Sequence, residues 1–177
     1  MKKQFLAVSA LALAVMSGSA LAAPQDVQFV GTVTDVTCDI KPEVNGTTGN
    51  YVQLGSVTKK TGATNDSDKG AVIPFALKPA AGTSCSLTGK NTVSVTWIGG
   101  FDGDGLTAQS GVAKDAKAVI KSTNAKQDAT ITNAKTTVDF DSSNLTGTSG
   151  LQFSAQLHGG DTVGDYISSA AFLVAYK

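Results

Sequence analysis

The sequence contains no arginine, one histidine and two cysteines among its 177 residues. Its 14 basic side chains are balanced by 14 acidic ones, so the formal net charge is zero. Nucleic-acid binding depends on concentrated positive charge, and nucleic acid is therefore not an expected partner. Two thiols and His158 do not supply four zinc ligands at any recognised spacing. We expect neither a metal nor a cofactor.

Long apolar runs are also missing, apart from one near the start of the chain. Residues 5–16 are apolar, follow Lys2 and Lys3, and precede Ala20 and Ala22. The run is shorter than the roughly 18 apolar residues that a membrane helix needs. A positively charged start, an apolar run and then small residues, in this order, are typical of a secretory signal peptide. The sequence predicts a signal peptide over residues 1–22 and export of the remainder.

Groups suited to catalysis are scarce. His158 lies near Asp161 and Asp165 in a glycine-containing stretch, but no nucleophile-elbow sequence accompanies it, and we expect an exposed loop histidine. The alternating acidic residues Asp102 and Asp104 resemble a calcium loop, yet the glutamate that would complete such a loop is missing. The sequence therefore predicts that the protein is not an enzyme.

What the sequence does contain is β-type alternation. In residues 91–98, Val93, Val95 and Trp97 alternate with threonine and serine, which predicts a half-buried strand. Pro74, inside another predicted strand, indicates an edge or a bulge. Many short strands separated by turn residues favour an all-β sandwich in one domain. The main further strands are predicted at residues 26–40, 51–57, 71–78, 151–157 and 168–176, while residues 112–122 leave a short helix open as an alternative to a strand.

The two cysteines lie in the exported part of the chain. An isolated cysteine pair in an oxidising compartment most simply forms one disulfide, here between Cys38 and Cys85. Closing a loop of this length stabilises a fold by about 4 kcal/mol on the chain-entropy argument.

The two ends of the exported chain resemble those of chaperone-usher fimbrial subunits of the type 1 pilin superfamily. At the N-terminus, Val27, Phe29, Gly31 and Val33 occupy alternating positions after the predicted cleavage site and before Cys38. At the C-terminus, apolar residues alternate up to a penultimate tyrosine. Residues 38–46 and 75–81 are similar to the K99-like major fimbrial subunit. The residues that carry the resemblance at the two ends are Val27, Phe29, Gly31, Val33, Phe172, Val174 and Tyr176.

The resemblance implies an incomplete immunoglobulin-like sandwich that lacks its final strand and is completed by a donor strand from another subunit. Residues 23–33 would be the donor extension and residues 34–177 the pilin domain. The donor residues would be Val27, Phe29, Gly31 and Val33. Phe172, Val174 and Tyr176 would form the strand that borders the groove and pairs with a chaperone.

The resemblance also implies partners and a location. The partners would be identical or related pilin subunits, a periplasmic pilus chaperone and an outer-membrane usher. The subunit would pass through the periplasm into a cell-surface fimbrium that mediates adhesion to host cells. An alternative left open by the sequence is that the subunit itself is a carbohydrate-binding adhesin with a host glycan receptor.

Overall fold

The computed structural model of the protein describes residues 38–60, 68–83 and 85–177. The predicted signal peptide, residues 1–22, and the predicted donor extension, residues 23–33, lie outside the described residues. The same holds for the four donor residues Val27, Phe29, Gly31 and Val33.

The described residues form two antiparallel sheets, because the alternating apolar residues of each strand need a second layer to cover them. The larger sheet has the strand order β2-β1-β3-β8-β6-β5, and the smaller sheet has the order β7-β4-β9. One short helix, α1, follows β7. The elements are β1 (Ile40–Val44), β2 (Thr47–Thr48), β3 (Lys69–Pro79), β4 (Thr92–Gly99), β5 (Leu106–Thr107), β6 (Lys117–Ser122), β7 (Thr137–Asp141), α1 (Ser142–Thr146), β8 (Leu151–His158) and β9 (Ala170–Tyr176).

The core lies between the two sheets and is centred on aromatic side chains. Strand β4 contributes Val93, Val95 and Trp97, which confirms the alternation predicted for this segment. Phe153 of β8 packs edge-on against Trp97, with ring centroids 5.3 Å apart, and stacks on Phe75 of β3 at 5.5 Å. Rings in such arrangements add to the stabilisation from burial alone. The aromatic cluster therefore joins the larger sheet to the smaller one.

Pro74 lies where the neighbouring strand ends. The ladder between β1 and β3 runs from the Ile40–Pro79 pair to the Val44–Phe75 pair. Pro74 is the next residue of β3 and has no partner in β1, while on its other side it is opposite Ser154. The predicted edge at Pro74 is thus confirmed. The ladder between β3 and β8 also has a register irregularity on the N-terminal side of Pro74, between Lys69 and Val72.

Three segments differ from the sequence-based expectations or settle an open choice. The strand predicted at residues 51–57 is not formed, although these residues are described. Residues 117–122 of the ambiguous segment form strand β6, so the helix alternative was wrong there. The short helix α1 was not predicted, because five residues of Ser, Asn, Leu and Thr carry no helical periodicity.

Cys38 and Cys85 form a disulfide, as predicted, with their Cα atoms 5.3 Å apart. The bond joins the residues just before β1 to the connection that leads into β4. It therefore ties the first described strand of the larger sheet to the central strand of the smaller sheet. Within the described residues, no helix has the length and apolar character needed to cross a membrane.

Candidate functional site

Strand β9 is the last strand of the chain and lies at the edge of the smaller sheet. It pairs with β4 from Tyr176 opposite Val93 to Ala170 opposite Gly99. Phe172 and Val174 pack against the core but remain only partly buried. Within the described part of the chain, no strand pairs with the outer edge of β9. The strand therefore presents backbone donors and acceptors that a further strand can use.

An apolar groove of about 510 Å³ lies beside the start of β9, where Ala170, Ala171 and Phe172 line it. Phe75, Ile120 and Ala155 come from the larger sheet, and Trp97 and Phe172 come from the smaller one. Phe75, Trp97 and Ile120 are among the buried core residues, yet they line an open groove. The groove therefore leaves core residues open beside β9, where no described strand covers them.

Asn50, Tyr51, Val52 and Leu54 also line the groove. In the segment that they begin, Val52, Leu54 and Val57 are half-buried and pack against the core, while Tyr51 and Gln53 are exposed. Exposed and half-buried residues alternate from Tyr51 to Leu54 as in a strand, but Val57 is out of phase with them. Gly55 has a φ of 75°, which interrupts the extended backbone, and the segment has no ladder partner among the described residues. The strand predicted at residues 51–57 is therefore not formed.

Tyr166 connects the loop before β9 to the larger sheet. Its hydroxyl donates to the carbonyl of Leu106 over 2.8 Å and accepts from the N–H of Ala118 over 3.2 Å. Burial raises the pKa of Tyr166, and hydrogen bonds from Ser168 and the Ala118 N–H act in the opposite direction. Tyr166 lines both the groove and a neighbouring cavity of about 530 Å³, whose lining is mainly residues 51–59 and 162–168. Nothing in the sequence distinguishes this tyrosine from an exposed one.

Replacing Tyr166 with Phe is expected to lower the free energy of unfolding by about 2 to 4 kcal/mol. The change keeps the ring but removes the hydroxyl from the Leu106 carbonyl and the Ala118 N–H, and an unsatisfied buried backbone group costs about 1 to 3 kcal/mol. Urea unfolding followed by Trp97 fluorescence measures the difference. Tyr51→Phe is the matched control, because Tyr51 is 79% exposed. Equal stabilities of the two variants would contradict this role of Tyr166.

Tyr176 closes the other end of β9. It is buried opposite Val93, and its hydroxyl accepts the backbone N–H of Cys38. Burial raises the pKa of Tyr176, and the bond from Cys38 opposes that rise. Tyr176 is thereby held against the first described residue of the chain.

The acidic residues considered for calcium binding, Asp102 and Asp104, are paired with a lysine. Lys117 bridges Asp102 and Asp104, with Nζ to Oδ2 distances of 2.6 and 2.9 Å. Burial opposes ionisation of Asp102, but Lys117 and the N–H groups of Asp104 and Gly105 outweigh it and lower the pKa. Across the described ranges, no group of three or more histidine, cysteine and acidic side chains is arranged to hold a metal.

His158 does not lie in an exposed loop, so that prediction was wrong. It is the last residue of β8, is partly buried, and lies 3.2 Å from the side-chain oxygen of Gln156. Burial and the nearby Lys69 lower its pKa. The strand extends one residue further than the apolar alternation ending at Leu157 indicates.

The predicted site residues fall into two groups. Phe172 lies on β9 and lines the groove, Val174 packs against the core further along the strand, and Tyr176 lies at the buried end of the same strand. Val27, Phe29, Gly31 and Val33 lie outside the described residues, so their predicted role stays a prediction. The groove is also lined by residues that no sequence pattern assigns to it, namely Asn50, Tyr51, Val52, Leu54, Tyr166 and Trp97.

Comparison with known proteins places the chain among fimbrial proteins. It is 38% identical to the F107 fimbrial protein of Escherichia coli over 177 residues, with 99% of each chain covered. It is 32% identical to the K99 fimbrial protein of Escherichia coli, again with 99% of each chain covered. The Major MR/P fimbria protein of Proteus mirabilis (strain HI4320) is 31% identical, with 96% of this chain and 95% of that protein covered.

No protein-family model matches the sequence. Among solved structures, the P pilus rod subunit PapA aligns with 15% identity and a TM-score of 0.45, covering 86% of this chain and 100% of that one.

The fold and the open groove define an all-β, immunoglobulin-like sandwich that lacks a strand, which is the architecture of a pilus subunit. The chain belongs to the family of chaperone-usher fimbrial subunits and is related to its K99-like members. It is a structural pilus subunit, exported through the periplasm to a cell-surface fimbrium.

Proposed function

We propose that the subunit polymerises by donor-strand exchange, in which residues 23–33 of one copy fill the groove beside β9 of the next. The observation that carries this proposal is the groove itself, where buried core residues such as Phe75 and Trp97 border open space along an unpaired strand edge. The role is structural and not enzymatic, in agreement with the relatives' names as fimbrial proteins.

The proposed donor segment fits a groove of this kind. In an extended donor strand, Val27, Phe29 and Val33 would share one face, with Gly31 among them. Burying three such side chains stabilises the contact by on the order of 5 to 9 kcal/mol, at about 1.5 to 3 kcal/mol each. Each backbone hydrogen bond to β9 or to residues 51–57 adds about 1 kcal/mol net. These contributions together support a durable contact between subunits.

The open edge of β9 also supports a role for a chaperone before assembly. An unpaired strand beside an apolar groove favours aggregation, and a periplasmic chaperone that supplies a temporary strand would prevent it. Phe172, Val174 and Tyr176 would provide the alternating surface for that pairing. An outer-membrane usher would then be the place where the chaperone strand is exchanged for residues 23–33 of the next subunit.

Replacing Gly31 with Leu is expected to abolish surface filaments and to leave the chaperone-bound subunit at its normal level. A leucine side chain at this position would clash with the groove of the neighbouring subunit, while the subunit's own sandwich would not use the position. Electron microscopy of surface filaments, together with purification of the chaperone complex from the same cells, measures both quantities. Abundant filaments or loss of the chaperone complex would contradict the donor role of residues 23–33.

Thr32→Leu is the matched control for Gly31→Leu. It adds a similar side chain one residue further along, where an extended segment points to the opposite face. Filaments should therefore form normally in this control. Equal loss of filaments in both variants would show that any bulky residue in the extension blocks assembly, whichever face it occupies.

The comparisons do not favour the alternative that this subunit is itself a carbohydrate-binding adhesin, since the relatives are named as fimbrial proteins. Agglutination of red cells by purified fimbriae, with sialylated glycans as competitors, separates a shaft subunit from an adhesin. The structural role predicts no agglutination by filaments of this subunit alone.

A further inference from the structure

A group of large apolar side chains is exposed beside the mouth of the groove. The described residues contain five exposed side chains of this kind, and the four that form this group, here called the loop patch, are Tyr51, Val112, Val163 and Ile167. Three of them, Tyr51, Val163 and Ile167, line the cavity of about 530 Å³ that adjoins the groove. Val112 lies against Gly164, the residue after Val163. Single exposed apolar side chains need no explanation, whereas a cluster of them marks an interaction surface.

Hydrogen bonds hold the loop that carries Val163 and Ile167 in place before any partner arrives. The Asp115 carboxylate accepts from two N–H groups at the start of this loop, over 2.5 and 3.1 Å. Ile167 exchanges two backbone hydrogen bonds with Ser110, over 3.1 and 3.2 Å. The Tyr166 hydroxyl adds its bonds to the larger sheet. The loop patch is therefore preorganised, and a partner that binds it need not order the loop first.

The two ends of β9 have different roles in a filament built by the proposed exchange. Tyr176 holds Cys38 at the last residues of β9, so the subunit's own donor would leave the domain at that end. The loop patch lies at the other end, which is about 20 Å away along a strand of this length. A head-to-tail contact repeats along a line when the neighbour lies at the end that the departing donor leaves free. The neighbour whose donor fills the groove would therefore lie at the end with the loop patch.

The connection between the donor and its domain is short, so that neighbour has to lie close to the loop patch. Only residues 34–37 separate the proposed donor segment from Cys38. Fully extended, the chain from Val33 to Cys38 reaches at most about 18 Å. A folded domain of this size has a radius of gyration of about 14 Å, so its surface would reach the mouth of the groove. The loop patch is the apolar surface that it would meet there.

We propose that the loop patch is a second contact between neighbouring subunits, which docks onto the Cys38 end of the subunit that donates its strand. This inference rests on the donor-strand function proposed above. The Cys38 end is a firm surface, because the disulfide joins Cys38 to Cys85 and the Ala80 N–H donates to the Asp39 carbonyl over 2.7 Å. The inserted strand alone would let two domains swivel about residues 34–37. A second contact fixes their relative orientation, so the loop patch sets the stiffness of the filament.

The test records contacts in assembled fimbriae on whole cells. The photoreactive residue p-benzoylphenylalanine replaces Val163, which is 74% exposed, and in a separate strain it replaces Val72 of β3, which is 58% exposed, as the matched control. After irradiation, the probe at position 163 should crosslink subunits in pairs, and mass spectrometry of peptides should find the partner within residues 38–41 or 79–91. The probe at position 72 should give no such product. Addition of Gly31→Leu, which prevents filaments under the proposed function, should abolish the crosslink from position 163.

Val163→Lys tests the proposed effect on stiffness. Val163 is exposed and lies outside the groove, so the chaperone-bound subunit and the number of filaments should stay at wild-type levels. The filaments should bend more sharply, because a lysine side chain replaces part of the apolar contact. Electron micrographs should therefore show a persistence length below that of wild-type filaments. Val72→Lys should leave the persistence length unchanged.

The outcomes distinguish this inference from the function on which it rests. Normal filaments would overturn the role of the loop patch, and leave donor-strand exchange standing, if position 163 crosslinks to nothing, only to the chaperone, or to another part of the subunit. Equal crosslinking from position 72, or an unchanged persistence length in Val163→Lys filaments, would do the same. Filaments formed by the Gly31→Leu chain would overturn donor-strand exchange and this inference with it.

Discussion

A subunit that carries both Val174→Asp and Tyr176→Asp is expected to fall at least about tenfold in the periplasm and to form no filaments. Val174 packs against the core opposite Val95, and Tyr176 is buried opposite Val93. The two changes remove apolar burial of about 1.5 to 3 kcal/mol each and place carboxylates where nothing compensates their desolvation. A loss of that size approaches the whole stability of a domain, and unfolded chains are removed by proteases.

Leu173→Asp is the matched control for this double variant. Leu173 lies between Phe172 and Val174 on β9, but its side chain points to the opposite face of the strand, opposite Thr96. The subunit that carries Leu173→Asp should therefore accumulate normally in the periplasm. Immunoblots of periplasmic extracts measure the subunit, and normal levels of the double variant would contradict the assignment of Phe172, Val174 and Tyr176 to the core face of β9.

Replacing both cysteines, by Cys38→Ala with Cys85→Ala, is expected to lower the free energy of unfolding by about 4 kcal/mol. The bond joins residues 47 positions apart, and its removal returns conformational freedom to the unfolded chain. Urea unfolding of the subunit, followed by Trp97 fluorescence, measures the change. The single variants should lose as much as the double variant, because either one removes the same bond.

Thiol labelling provides the complementary measurement for the disulfide. Denatured, unreduced protein from fimbriae should contain no reactive thiol, since the sequence has no third cysteine. Two reactive thiols in native fimbriae, or unchanged stability of the double variant, would contradict a stabilising role for the bond.

Much of the sandwich could be predicted where one face of a strand is buried and the other is exposed. Strand β4 was clear because Val93, Val95 and Trp97 alternate with hydroxyl residues. The C-terminal strand and the disulfide were also predicted. These features depend on local periodicity or on the absence of any other cysteine, and both can be read from the sequence.

Features that depend on a partner in space could not be predicted in the same way. Residues 51–54 have the alternation of a strand, but Gly55 turns the backbone out of the extended conformation and the described chain provides no ladder neighbour. The Tyr166 hydroxyl bonds to backbone groups 48 and 60 residues away, and no local pattern indicates such contacts. The loop patch likewise appears only once the spatial neighbours of Val163 are known.

The contact between Tyr176 and Cys38 has a mechanical consequence for a filament built by the proposed exchange. Tension would enter each subunit through the strand held beside β9 and leave it through the residues before Cys38. Tyr176 holds the end of β9 at Cys38, and the Cys38–Cys85 disulfide would carry the load covalently to the connection before β4, the neighbour of β9, so the path would be short. Force along the inserted strand would also act at right angles to its ladder bonds, which must then break together. The larger sheet would bear little of the strain, and a stretched filament would keep most of each subunit folded.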